Sequence, residues 1–132
     1  MSKIIEVIGQ LDNLLTLKPA SIEEVEDAEI ELALPFAEEY KQYVLKYGAV
    51  LADDVELTGI SKSKNRNVVH VTKREWEANP LIKHNMYVVE NVGIDGIMIW
   101  QDSKGYIYES NPHQVANKIA NSLADYLMSK KG

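Results

Sequence analysis

The sequence predicts an α+β domain, an antiparallel sheet of about four to six strands flanked by N-terminal helices and a C-terminal helix. Three observations predict it. The first 48 residues carry apolar residues at helical spacing, broken at proline and glycine. After Gly48 the spacing shortens to alternation, with turn chemistry between short apolar runs. From Asn111 the helical spacing returns. Strands and helices do not alternate as β-α-β units would require, so the sheet is expected to be antiparallel.

Each element has its own signal. Ser2 is placed to cap a first helix, with Ile4, Ile5, Ile8, Leu11 and Leu15 along one stripe and Gly9 inside it. "LKPAS" breaks that pattern. Ser21 and Glu24 then form a capping box ahead of "SIEEVEDAEIEL", with Ile22, Val25 and Ala28 facing inward. Pro35 suits the first turn of a third helix. Tyr40, Tyr43, Val44 and Tyr47 recur along it, and Gly48 closes it in a left-handed conformation.

"VELTGI" and "NVVHVT" read as strands, with "SKSKNRN" an exposed loop between them. Thr72 and Glu75 form a second capping box, opening a short helix that ends near Pro80. "MYVVENV", "IMIWQD" and "YIYES" follow as a meander. Asp95-Gly96 and the segment from Asp102 to Gly105 supply its hairpin turns. Ile97 and Ile99 point to one face of the middle strand, Met98 and Trp100 to the other, so that strand is expected to be covered on both sides. Asn111, Pro112 and Gln114 read as the head of a final helix, with Val115, Ile119, Leu123, Tyr126 and Leu127 on its buried face.

Composition narrows the function classes. At 132 residues the chain is read as a single domain over 1–132. Its 45% hydrophobic and 26% charged residues exclude a disordered segment. No apolar run could span a bilayer. The N-terminus carries Glu6 and Asp12 and lacks a small-residue cleavage site, so a cytoplasmic location is expected. Cysteine is absent, which removes thiolate chemistry. The net charge of −6 argues against direct nucleic-acid binding, because contact with phosphates needs a positive surface. The charge is also segregated. Residues 1–57 hold 4 basic and 13 acidic groups, whereas residues 58–86 hold 6 basic and 2 acidic.

No motif for catalysis emerges. His70, His84 and His113 are scattered, with no metal-ligand spacing. Gly93 and Gly96 flank a hairpin and have no lysine placed as in a phosphate loop. Asp102 and Glu109 flank a turn, where Asp102 is expected to accept backbone hydrogen bonds. The basic loop of Lys62, Lys64 and Arg66, with Lys73 and Arg74 beyond it, lacks interleaved aromatics for base stacking and reads as solvated. Trp76, Trp100, Tyr106 and Tyr108 would serve as core or as interface anchors, with Trp100 assigned to the core. The acids between Glu23 and Glu31 are the wet face of a helix, or a surface for a basic partner.

Taken in order, "LPFAEEYKQYVLKYG", "ELTGI", "DGIMIWQDSKGYIYES" and "SLADYL" resemble the SUKH superfamily, the SMI/KNR-like domains, over about residues 21–128. The resemblance implies an α+β domain. Bacterial members are mostly immunity proteins that neutralise a cognate polymorphic toxin, often a nuclease; fungal relatives are regulators. It brings no catalytic residues and no cofactor. The recurring positions, here Leu34, Pro35, Tyr40, Tyr47, Gly48, Trp100, Asp102 and Gly105, are expected to be structural.

The expectation is therefore a non-enzymatic, cytoplasmic immunity protein that binds a toxin, for which a basic nuclease domain is one expected form, without cofactor, metal or membrane. Its partner-binding residues are expected among Glu23, Glu24, Glu26, Asp27, Glu38, Glu39, Asp53 and Asp54, where carboxylates would compete with phosphate. Two other readings stay open. One is a regulatory interaction domain with a non-toxin partner. The other is a small hydrolase, which would need a concave pocket holding a carboxylate with a shifted pKa.

Overall fold

The computed structural model describes residues 3–131. The element order is α1 (Lys3–Gly9), β1 (Leu15–Thr16), α2 (Ile22–Leu32), α3 (Glu38–Tyr47), β2 (Val50–Ala52) and β3 (Val55–Leu57). It continues through α4 (Val68–Ala78), β4 (Met86–Asn91), β5 (Met98–Asp102), β6 (Ile107–Ser110), β7 (Asn117–Ala120) and α5 (Leu123–Lys131). All seven strands form one antiparallel meander in chain order. The α+β class is as expected. The strand number exceeds expectation because the sheet is extended at its rims by the two-residue β1 and by β7.

The two faces of β5 separate two cores. Ile97 and Ile99 join Tyr87, Val89 and Ile107 under α1, α2, α3 and α5. Met98 and Trp100 face the other way and pack with Val88, Ile82 and Val71 of α4. Trp100 is fully buried, and its indole nitrogen donates to Ser110 Oγ at 2.8 Å. Between Val88 and Glu90 the β4 register shifts by a bulge. Threonines serve the backbone groups there. Val88 N donates to Thr72 Oγ1 at 2.9 Å, and Thr58 Oγ1 donates to Val88 O at 2.8 Å. The buried bulge therefore leaves neither of these backbone groups without a partner.

The third helix is fastened through its tyrosines. Thr58 spends its hydroxyl proton on Val88 O, so the Tyr40 hydroxyl donates to Thr58 Oγ1, 2.9 Å away. Tyr43 donates to Thr58 O at 2.7 Å and accepts from Val50 N at 3.1 Å. Tyr87 accepts from Ala37 N and donates to Gln101 Oε1. Three rings and Phe36 stack edge-on or tilted, with centroids 4.8–5.4 Å apart. Gly48 ends α3 at φ 71°, and a Cβ there would lie 2.1 Å from Lys18 O. Gly59 is equally constrained, since a Cβ would lie 1.9 Å from Gly48 O. No side chain fits at either place, and the loop before α2 packs directly on α3.

Four sequence expectations are corrected. The first helix ends at Gly9, and Leu15 lies in β1 at 64% exposure; its proposed cap, Ser2, lies outside the described residues. Ile22 points outward, at 66% exposure. "NVVHVT" is helix, not strand. Its β-branched run fits either period, and Asn67 decides it by accepting from Val69 N and His70 N as the N-cap. Thr72 is accordingly an internal residue of α4, not a cap. The final helix begins at Leu123 rather than near Asn111. Residues 111–114 form a turn, with His113 at φ 63°, and residues 117–120 pair with β6, which leaves Val115 and Ile119 exposed. Ser122 is the true start, where its Oγ accepts from Asp125 N at 3.0 Å.

Burial raises the pKa values of Tyr40, Tyr43 and Tyr87 well above the ordinary phenol value. These groups stay neutral in the folded state while unfolded tyrosines ionise near about pH 10. The stability they contribute is complete below that pH and is lost as pH rises past it. In an alkaline titration, part of the tyrosinate absorbance of the seven tyrosines is expected to appear only together with loss of the far-UV circular dichroism signal. A full tyrosinate signal from an intact fold would contradict this packing.

Candidate protein-interaction surface

The eight carboxylates singled out in the sequence fall into three settings. Glu23, Glu24, Glu26 and Asp27 are exposed on α2. Val25, Ala28 and Leu32 turn the opposite side of that helix into the core. Glu38 is exposed at the start of α3, with Lys41 4.0 Å away. Glu24 also closes the capping box, accepting from Ser21 N at 2.9 Å. The expected box is therefore present.

Asp53 and Asp54 are the two loop residues between β2 and β3, because Ala52 pairs with Val55. Asn13 Nδ2 holds the Asp53 carboxylate at 2.9 and 3.0 Å. With Asp12 they rim a cavity of about 260 Å³ floored by Leu11, Ala52, Val55 and Leu127. Neither loop aspartate lines the depression beside α2, so the acids form two separate patches.

Glu39 belongs to neither patch. Its carboxylate accepts from Leu123 N at 2.7 Å and from Ala124 N at 3.0 Å, capping α5. It also accepts from Gln101 Nε2 at 2.7 Å. A carboxylate on α3 thus supplies the negative charge that an α-helix N-terminus favours, across 84 residues of sequence. The half-buried Glu39 is engaged within the fold, and the outward-facing set is the other seven.

Two features escaped the sequence, one exposed on this surface and one buried in the fold. Ile30 is 75% exposed and, with Ile22, stands among the acids on the outer side of α2. A helical wheel shows it: Ile30 lies four residues beyond Glu26 and seven beyond Glu23, on their side of the helix. The depression there is lined by Glu23, Glu26, Ile30 and Pro35. Glu90 was the other omission. It is 2% exposed and accepts from Tyr126 at 2.6 Å, Lys130 at 3.0 Å and Glu56 N at 3.0 Å. No sequence pattern marks it, since its partners lie 34–40 residues away.

The other polar candidates have structural places. Asp102 Oδ1 accepts from Lys104 N and Tyr106 N within its turn, and Oδ2 accepts from Tyr108. The Tyr108 phenol is accordingly raised in pKa, by desolvation first and by Asp102 second. His84 stacks on Trp76 at 4.2 Å. His70 lies on α4, and His113 in the 111–114 turn.

A family described as SUKH_5, SMI1-KNR4 cell-wall, matches residues 1–130. The chain belongs to this family. Comparison with curated proteins gave no match. The recurring SUKH residues now have physical roles in this domain: Tyr40 and Trp100 in the two cores, Gly48 at a closed approach, Asp102 within a turn. None of these four contributes to the outer face of α2.

Replacing Glu39 with alanine would strip Leu123 N and Ala124 N of their acceptor and leave Gln101 short of a partner. The expected loss is about 1–3 kcal/mol, read as a lower urea midpoint with unchanged slope. An unchanged midpoint would show that the cap carries no weight.

Proposed function

We propose that this SUKH_5 domain is an immunity protein, one that neutralises a cognate toxin by stoichiometric contact and performs no turnover of its own. The observation that carries the reading is the outer face of α2. There, carboxylates of Glu23, Glu26 and Asp27 surround an isoleucine that is 75% exposed. A buried apolar anchor within a charged rim is how protein interfaces divide affinity from encounter rate. The acids would speed approach to a basic groove such as a nuclease presents, and Ile30 would be desolvated on contact. Membership of the family supports this reading. The place of action is the cytoplasm of a bacterial cell; among the described residues no helix is long and apolar enough to cross a membrane.

The words "cell-wall" in the family description favour a second reading, a regulatory interaction domain with a non-toxin partner. The same face would serve it.

The test is co-expression with the C-terminal domain of the protein encoded next to this chain, expecting that domain to be toxic on its own. Wild type should rescue growth. Ile30→Asp should weaken binding by about 2 kcal/mol, roughly thirtyfold. Glu23→Lys with Glu26→Lys should slow association at low salt and flatten its salt dependence. Rescue with neither variant affected would move the contact off α2. No rescue and no binding by wild type would remove the immunity reading in favour of the regulatory one.

A further inference from the structure

The charge segregation along the chain reappears as a feature in space. A groove of about 480 Å³ runs between α2 and the segment 60–73. Glu24, Asp27 and Glu31, spaced as one stripe of α2, form one wall. Lys62, Lys64 and Lys73 form the other, and Ala28, Ile60 and Val69 lie between them. Among the described residues, no ion pair within 4.0 Å links the two walls. The charges face each other across a gap they do not close.

We propose that two copies of this chain pair face to face over this groove. A surface with an acidic wall beside a basic wall is complementary to itself under one two-fold operation only. With the axis along the groove, each acidic wall lands on the other copy's basic wall. With the axis across the groove, acid meets acid and base meets base. The charge pattern thus selects the orientation as well as the partner. It pairs six charges per copy that lack a partner across their own groove, and it covers the apolar floor. The inference uses this chain alone and does not depend on the toxin reading.

The association is electrostatic at its rim, so it is weak and salt-dependent. Sedimentation of the full chain at about 10 mM salt, where the Debye length is about 30 Å, should show mass rising with concentration toward twice 14.9 kDa. At about 1 M salt, with a Debye length of about 3 Å, it should return to 14.9 kDa. Two reversed variants decide the geometry: Asp27→Lys with Glu31→Lys, and Lys64→Glu with Lys73→Glu. All four side chains are exposed, and Glu24 is left to its capping box. Each variant alone should self-associate at least tenfold more weakly than wild type. Mixed in equal amounts they should form a one-to-one heterodimer. A wild type that stays monomeric at low salt overturns the proposal. So does a dimer indifferent to the reversals, or a pair of reversed variants that fail to associate when mixed.

Discussion

Three tyrosine hydroxyls and one threonine have to find partners inside an apolar core, and most of this fold is arranged around that requirement. A buried hydroxyl without a hydrogen bond costs about 1–3 kcal/mol. Tyr40 and Tyr43 meet it with α3 lying against the end of β3 at Thr58, and Tyr87 meets it at Gln101 and at Ala37, where the chain before α3 crosses β4. Thr58 in turn occupies the carbonyl freed by the β4 bulge. From Tyr87 the network runs to Gln101, then to Glu39, then to the N-terminus of α5. Two hydrogen-bonded sets, in contact through the Tyr40 and Tyr87 rings, thereby fix a helix, a bulge, two central strands and the last helix in mutual register. Such networks specify a unique arrangement because a shift of any member leaves several groups unsatisfied together.

How far this was legible from sequence follows from the range of each interaction. The capping box at Ser21, the stop at Gly48 and the meander from Met86 to Ser110 rest on neighbours within a few residues, and sequence pattern shows them. The opposed faces of Ile99 and Trp100 follow from strand periodicity alone. The misreadings came where local signals competed. Val68, Val69 and Val71 favour a strand by propensity, but Asn67 offers two acceptor contacts to the first turn of a helix, and that local chemistry decides. Near the end, Asn111-Pro112 resembles a helix start as much as Ser122 does. Pairing of 117–120 with β6 settles the choice, and it is a contact no local window contains.

The candidate surface was legible in part for the same reason. Exposed acids on an amphipathic helix can be read from helical spacing, and six of the eight expected carboxylates stand on α2 or in the β2–β3 loop without a structural task beyond a cap or turn. Glu39 differs because its partners are 84 and 85 residues distant. Glu90 was invisible for the same cause. Both are acids that the fold uses to hold its last helix. The outward-facing acids lie on elements whose geometry is set by the other side of the chain. The core can therefore stay fixed while the outer charges change.

Helix stability does not explain what remains on α2. A helix selected only to be stable would place bases in its last turn to oppose the dipole, and α2 has none. It carries Glu29 and Glu31 there instead, and Glu29 alone is compensated, by Lys41 at 3.8 Å and by accepting from Phe36 N. Nor does solubility explain Ile22 and Ile30, since polar residues at those outward positions would leave the buried stripe of Val25, Ala28 and Leu32 intact. The helix accepts an unfavourable end charge and two exposed apolar side chains on the one flank that the core leaves free. Neither departure helps folding, and both are what the proposed contact with another protein would require.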